Sequence, residues 1–345
     1  MKISLSFKPK QSVKKLLSAL QERSRDIIIK RYGLGKNPEC MTLDAIGKTY
    51  NITRERVRQI ENHAINTIRK SKYYSEEKQT FGEIEKIISD MGGIVVEQDL
   101  LDTVSKDSSI QSCINFLLVV GHPFNKVKED EDFKHRWFID NNIADTIHGS
   151  LKKLYENLKD DDLVSEQEMI KVFLNYIKDV ADQYKTDEMC KRYLCLSKKI
   201  CQNPLGEWGK ASSPNINTKG VRDYAYLVIR KHGSPIHFKE VAKAITTVFN
   251  KKAHVATTHN ELIKDSRFVL VGRGLYALSE WGYINGVVKD VIKKVIEKNG
   301  GPMTKKDIVD KVMKERYVKE NTIVINLQNK KYFTKNKDGK YDVVK

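Results

Sequence analysis

Thr42-Leu-Asp-Ala-Ile-Gly-Lys-Thr-Tyr-Asn-Ile-Thr-Arg-Glu-Arg-Val-Arg-Gln-Ile-Glu-Asn62 decides how the first part of this chain folds. Thr42 carries the short hydroxyl that caps a helix, and Asp44 suits the positive end of the helix dipole. Leu43 and Ile46 face inward, and Gly47 lets a second helix approach closely. Asn51 sits at a turn that needs a left-handed backbone, which Asn tolerates. Ile52 plugs the corner and Thr53 caps the second helix, whose buried stripe is Val57, Ile60 and Ala64. At about 100° per residue, Glu55, Arg58, Gln59 and Asn62 point away from that stripe, with Arg54 and Arg56 beside them. Arg can pair with guanine or phosphate, Gln with adenine and Glu with the cytosine amine. Lys48 and Lys70 suit phosphate contacts, and Thr42 joins the DNA-facing set. Charge alone would describe any solvated helix face. The combined spacing of apolar residues, Gly47, Asn51 and Thr53 specifies a helix-turn-helix.

Thr53-Arg-Glu-Arg-Val-Arg-Gln-Ile-Glu61 resembles, nearly letter for letter, the recognition helix of region 4 in bacterial sigma-70 factors. Leu20-Gln-Glu-Arg-Ser-Arg-Asp-Ile-Ile-Ile-Lys-Arg-Tyr-Gly-Leu34 resembles the helix leading into it, so the likeness runs over residues 12–71. It implies contact with a −35-type promoter element in double-stranded DNA, with Arg54, Glu55 and Gln59 reading bases and Arg58 assisting. It also implies docking on the β-subunit flap of RNA polymerase. Two departures stand out. His63 occupies a place where the family usually has a basic residue, and nothing in the chain resembles region 2, which melts promoters. The expectation is therefore a promoter reader rather than a complete sigma factor.

Further along, an internal repeat appears. Lys231-His-Gly-Ser-Pro-Ile-His-Phe-Lys-Glu-Val241 matches Lys298-Asn-Gly-Gly-Pro-Met-Thr-Lys-Lys-Asp-Ile308, with looser copies at Gly92–Leu100 and Asp162–Ile170. Each follows an amphipathic helix (81–91, 147–158, 223–231, 287–298) that Gly or Asp residues stop. The runs flanking the glycines in Arg267–Leu278 read as a strand pair, and Trp137–Ile139 and Tyr341–Val344 can end similar hairpins. Three helices and a hairpin make a winged helix. The fold class expected is mainly α: a sigma region 4-like helix-turn-helix (1–74), then winged-helix-like units at 75–141, 142–204 (degenerate), 220–282 and 283–345. Polar Lys70–Lys78 and Asn/Pro/Gly/Ser-rich Gln202–Lys219 read as connections, the linker between units being 205–219. Residues 223–278 resemble the HARE-type helix-turn-helix, a winged-helix module also found in the RNA polymerase δ subunit, through Gly233–Val241 and Thr257–Leu278. That resemblance implies association with DNA or polymerase, and puts Thr257, Thr258, His259 and Asn260 on a third helix and Arg273 at a wing tip. Asn260 equally suits a cap, and His259 equally suits packing.

Charge is divided along the chain. Residues 1–74 hold 17 Lys+Arg against 6 Asp+Glu, 75–210 hold 18 against 26, and 211–345 hold 27 against 13, within a total of +17. A polyanion is attracted to both ends and repelled by the middle. No run of about 18 apolar residues could span a membrane, and the basic N-terminus lacks the apolar core of a signal peptide. The five cysteines include no CxxC pair and no zinc spacing, so reduced thiols and no metal or other cofactor are expected. No phosphate loop, HExxH or GxSxG motif is present, so no enzyme is expected. Two readings stay open for a cytoplasmic, nucleoid-associated protein. One is a promoter-reading transcription factor. The other is a polymerase accessory subunit with weak or nonspecific DNA binding.

Overall fold

A computed structural model describes residues 5–36, 38–284 and 286–344. The chain is 56% helical, with 17 α-helices and small antiparallel sheets among the described residues. It divides into two compact units, residues 1–201 with 207–212 and residues 202–206 with 213–345.

The first unit opens with α1 (Pro9–Leu17), α2 (Glu22–Tyr32), α3 (Leu43–Tyr50) and α4 (Arg54–Arg69). Pro9 suits a first turn, where no backbone donor is required. Ile27, Ile46 and Val57 make a small core joining α2, α3 and α4. The buried face of α1 and the other side of α2, with Ala64 and Ile68 from α4, belong to a larger core. That core is shared with α6 (Lys78–Asp90) and α8 (Ser108–Val120). Tyr32 meets Phe116 of α8 edge-on at 5.2 Å. The Arg69 guanidinium donates to the carbonyls of Val119 and Val120, both at 2.9 Å, and so closes the C-terminal end of α8.

Residues 70–78, expected as a polar connection, instead form α5 (Lys72–Glu76), whose Tyr73 and Tyr74 pack on this core. Then come α6, β1 (Ile94–Val96), α7 (Glu97–Val104), α8, β2 (Asn125–Val127) and β3 (Arg136–Phe138). The three strands pair antiparallel in the order β1-β3-β2, with Ile94 and Asn125 both opposite Phe138. The next segment repeats the plan with α9 (Asn141–Asn157), α10 (Glu166–Leu174), α11 (Asp187–Leu196) and the pair β4 (Ile200–Gln202) and β5 (Trp208–Lys210). Residues 205–219, expected as a linker, thus contain a strand with Trp208 buried in the core. Arg136 is 4% exposed. It donates to His148 Nε2 (2.8 Å), Asp130 (2.9 Å) and the Lys134 carbonyl (3.0 Å).

The second unit holds the internal repeat. Its first copy is α12 (Val221–His232), β6 (Ile236–His237), α13 (Phe238–Phe249), α14 (Val255–Lys264), β7 (Phe268–Leu270) and β8 (Leu275–Leu278), with strand order β6-β8-β7. Its second copy is α15 (Val288–Asn299), α16 (Lys305–Glu315), α17 (Glu320–Leu327), β9 (Phe333–Lys335) and β10 (Tyr341–Val343). The repeated letters have repeated jobs. Asp223 and Asp290 each accept the N-cap backbone N–H at 3.0 Å. Gly233 and Gly300 end their helices in the left-handed region, at φ 74° and 75°. Ile236 pairs with Tyr276 and Met303 with Tyr341, so the residue after each proline joins the hairpin.

Candidate nucleic-acid interface

The turn between α3 and α4 is built as its letters require. Thr42 Oγ1 accepts from Ala45 N and Thr53 Oγ1 from Arg56 N, each at 3.2 Å, so both helices are capped by side chains. Asn51 takes the left-handed conformation at φ 53°. A Cβ on Gly47 would lie 2.6 Å from the Ile52 carbonyl oxygen, so only glycine permits this approach. Val57 is fully buried, and Ile60 packs partly buried against the same small core.

The outer face of α4 carries Arg54, Glu55, Arg56, Arg58, Gln59 and Asn62, all exposed. Thr42 and Lys48 on the α3 side are exposed as well, Lys48 paired with Asp44 at 3.0 Å. The α4 side chains are ordered among themselves. Arg58 grips Glu55 with two hydrogen bonds, Nε at 2.9 Å and Nη2 at 2.7 Å. Hydrogen bonding to Arg58 holds the Glu55 carboxyl below its usual range, with Gln59 contributing in the same direction, and Glu55 in turn raises Arg58. Arg56 Nη1 donates to Gln59 Oε1 at 3.1 Å. Each carboxylate oxygen keeps a lone pair, and Arg58 keeps unused N–H groups, so this pair can meet base edges without first coming apart. The Gln59 amide oxygen likewise keeps a second lone pair beside the Arg56 bond, and its NH2 group donates, so it retains the two groups that an adenine edge requires.

One residue of the motif serves another purpose. Glu61, 8% exposed, turns inward. It accepts from Tyr32 Oη at 2.8 Å and faces Arg31 Nε at 3.4 Å, tying α4 to α2. Burial pushes the Tyr32 phenol well above its usual range, with the Glu61 charge adding to the effect. The spacing Val57, Glu61, Ala64, Ile68 follows the buried stripe and was the signal for this role.

The second set of expected residues lies in the other compact unit. Thr257 and Asn260 are exposed on α14, and Arg273 is exposed at the turn between β7 and β8. Thr258 is a correction: it is fully buried, its hydroxyl donates to the His254 carbonyl at 3.0 Å, and no DNA can reach it. His259 is half-buried and stacks on Phe238 at 4.2 Å, with Tyr276 edge-on at 5.9 Å, so packing occupies its ring. Among the described residues no group of His, Cys, Asp and Glu could hold a metal, and no helix is long and apolar enough to cross a membrane.

Comparison with known proteins covers the first helices. The family model for sigma-70, region 4 matches residues 16–70. RNA polymerase sigma factor RpoD of Helicobacter pylori is 44% identical over 64 residues, 19% of this chain and 10% of that protein. RNA polymerase sigma factor RpoS of Coxiella burnetii is 46% identical over 57 residues, 16% of each chain. RNA polymerase sigma factor SigA of a Nostoc species is 42% identical over 60 residues, 17% of this chain and 15% of that protein. The chain thus spans between 10% and 16% of the length of these relatives. The match encloses both capped helices, the Asn51 turn and the whole exposed face of α4, and residues 16–70 are a sigma-70 region 4 domain.

Proposed function

We propose that this protein is a DNA-binding transcription factor, not an enzyme, that reads a −35-type promoter element through α4 and works with bacterial RNA polymerase. The observation that carries this is the α4 face. Six polar side chains of a region 4 domain stand exposed together, while Val57, Glu61, Ala64 and Ile68 fasten the opposite side. Arg54, Glu55 and Gln59 read bases, Arg58 supports Glu55, and Lys48 and Lys70 meet phosphates. The units of three helices and a hairpin are winged helices in this reading, the one at 220–282 of the HARE type, and Thr257, Asn260 and Arg273 are its exposed contacts. The apolar side of α1, α2 and α4 is already covered by α8, so polymerase, including its β flap, would meet this domain on other surface.

Randomised-site selection with wild type and Gln59→Ala tests the reading. A lost two-point base contact costs about 1–3 kcal/mol at that position. Wild type should select a motif, and Gln59→Ala should relax it at one position. Identical motifs with identical discrimination remove Gln59 from the reader. If neither protein selects any motif, the accessory-subunit reading replaces this one.

A further inference from the structure

Lys330, Lys331, Lys335, Lys337 and Lys340, on and beside the last β-hairpin, are all exposed, and none forms an ion pair among the described residues. Lysines elsewhere are often paired, as in Lys191–Glu166, Lys198–Glu129 and Lys210–Asp160. The hairpin that carries them is built, not loose. Tyr341 faces Lys335 and Val343 faces Phe333 across the ladder, with Phe333 buried. The turn is closed by Asn336 N to Lys340 O at 2.9 Å and Lys340 N to Asn336 Oδ1 at 2.8 Å, with Gly339 at φ 78°. Met303 clamps its inner edge with two backbone bonds to Tyr341, at 3.0 and 2.8 Å. At the base, Lys289 of α15 lies 4.3 Å from the Tyr332 ring centre and Lys331 lies 5.8 Å from the same centre.

The third helix of this unit is different. The exposed residues within α17 are Glu320, Asn321 and Ile325, with Gln328 at its end; the helix itself carries no cation, its N-cap Lys319 being the one beside it, and Ile325 is 67% exposed. In the region 4 domain, by contrast, the positive charge lies on the helix itself, at Arg54, Arg56 and Arg58. Exposed ammonium groups carried on an ordered hairpin and unmatched by carboxylates, Lys335 lying 5.8 Å from the Tyr341 ring centre, suit the phosphates of a duplex, and a helix without cations does not. We propose that this hairpin is a second, sequence-independent DNA site, its lysines seated on the phosphate backbone of a duplex while α17 stays out of the groove. The choice of duplex DNA over another polyanion rests on the promoter reading; the place of the site does not.

The test uses the full chain with Lys335→Gln, Lys337→Gln and Lys340→Gln combined. A control triple, Lys305→Gln, Lys306→Gln and Lys314→Gln, removes the same charge from exposed positions of α16. Binding to a duplex lacking any promoter element is measured across monovalent salt. Each phosphate contact contributes about 0.9 to the logarithmic salt slope, so the hairpin triple should lose roughly 2.7. Wild-type affinity should then fall about 40-fold more than the variant's between roughly 50 and 200 mM salt. The control should keep the wild-type slope. Equal slopes for both triples, an unchanged slope for the hairpin triple, or a loss seen on single-stranded RNA alone would each overturn the proposal. Sequence preference, scored on the same proteins, is expected to survive in the hairpin triple and to weaken in Gln59→Ala. The promoter reading and the hairpin site can therefore fail separately.

Discussion

Tyr32→Phe tests whether Glu61 anchors the reading helix or reads DNA. In wild type the Glu61 carboxylate receives the Tyr32 hydroxyl at 2.8 Å, and its other neighbour, Arg31 Nε, is at the outer limit of a hydrogen bond at 3.4 Å. Removing the hydroxyl leaves a mostly buried carboxylate with one weak donor. Hydrogen bonds to charged groups contribute about 1.5–3 kcal/mol net, and a buried acceptor left unmet costs a similar amount. The Glu61 side chain keeps 11% exposure, so water can replace part of the lost bond, which places the expected cost near the lower end, about 1.5 kcal/mol. The readout is hydrogen exchange of the α4 amides in the intact protein, which reports the local opening free energy. Glu61→Gln keeps an acceptor and should cost less. The double variant should cost less than the sum of the two, because both changes act on the same hydrogen bond. The DNA motif selected should not change in any of the three. An unaltered exchange rate in Tyr32→Phe would show that the bond contributes nothing. A changed motif in Glu61→Gln would place Glu61 on the DNA.

Gly47→Ala should loosen the helix-turn-helix by about 1–3 kcal/mol, since its Cβ would meet the Ile52 carbonyl at 2.6 Å; thermal melting with DNA binding in parallel checks this, and a wild-type melting profile would contradict the packing. His148 is held down to about 4, by burial first and then by Arg136, so its neutral form stabilises the fold. That stabilisation is complete above the ordinary histidine value near 6.5 and is lost as pH falls toward 4; melting temperature against pH should decline across that window, and His148→Gln should flatten the decline. His259→Ala should lower melting temperature while leaving the salt slope of DNA binding alone, because its ring is stacked inside the unit, and a changed slope would return it to the interface.

The turn of the region 4 domain was legible letter by letter, because caps, a left-handed Asn and a close-approach glycine are local devices with few alternatives. The paired aspartates, glycines and prolines of the repeat were legible for the same reason. Tertiary choices were harder. Thr258 shares a polar run with Thr257 and Asn260, and only its spacing of four from buried Leu262 marks it as inward. Residues 205–219 have a linker's composition, yet Trp208 pulls a strand into the core. Glu61 closes the quoted motif and has no role in the sequence reading, although its place on the buried stripe marks it as an anchor. Phe116–Val120, the last turn of α8, is apolar all round, the mark of a helix end covered on more than one side. That pattern gives no hint of which neighbour supplies each cover.

The placement of α8 bears on how this reader can be moved between proteins. The family match stops at residue 70, but the apolar core does not: Leu16, Leu17, Ile28 and Ile68 are completed by Phe116 and Leu117. A fragment cut where the likeness ends would carry bare hydrocarbon on its back and an unanchored Arg69. Grafting the reader onto another protein therefore requires residues up to at least Val120 as well. The unit that evolution exchanges by sequence is shorter here than the unit that physics keeps in one piece.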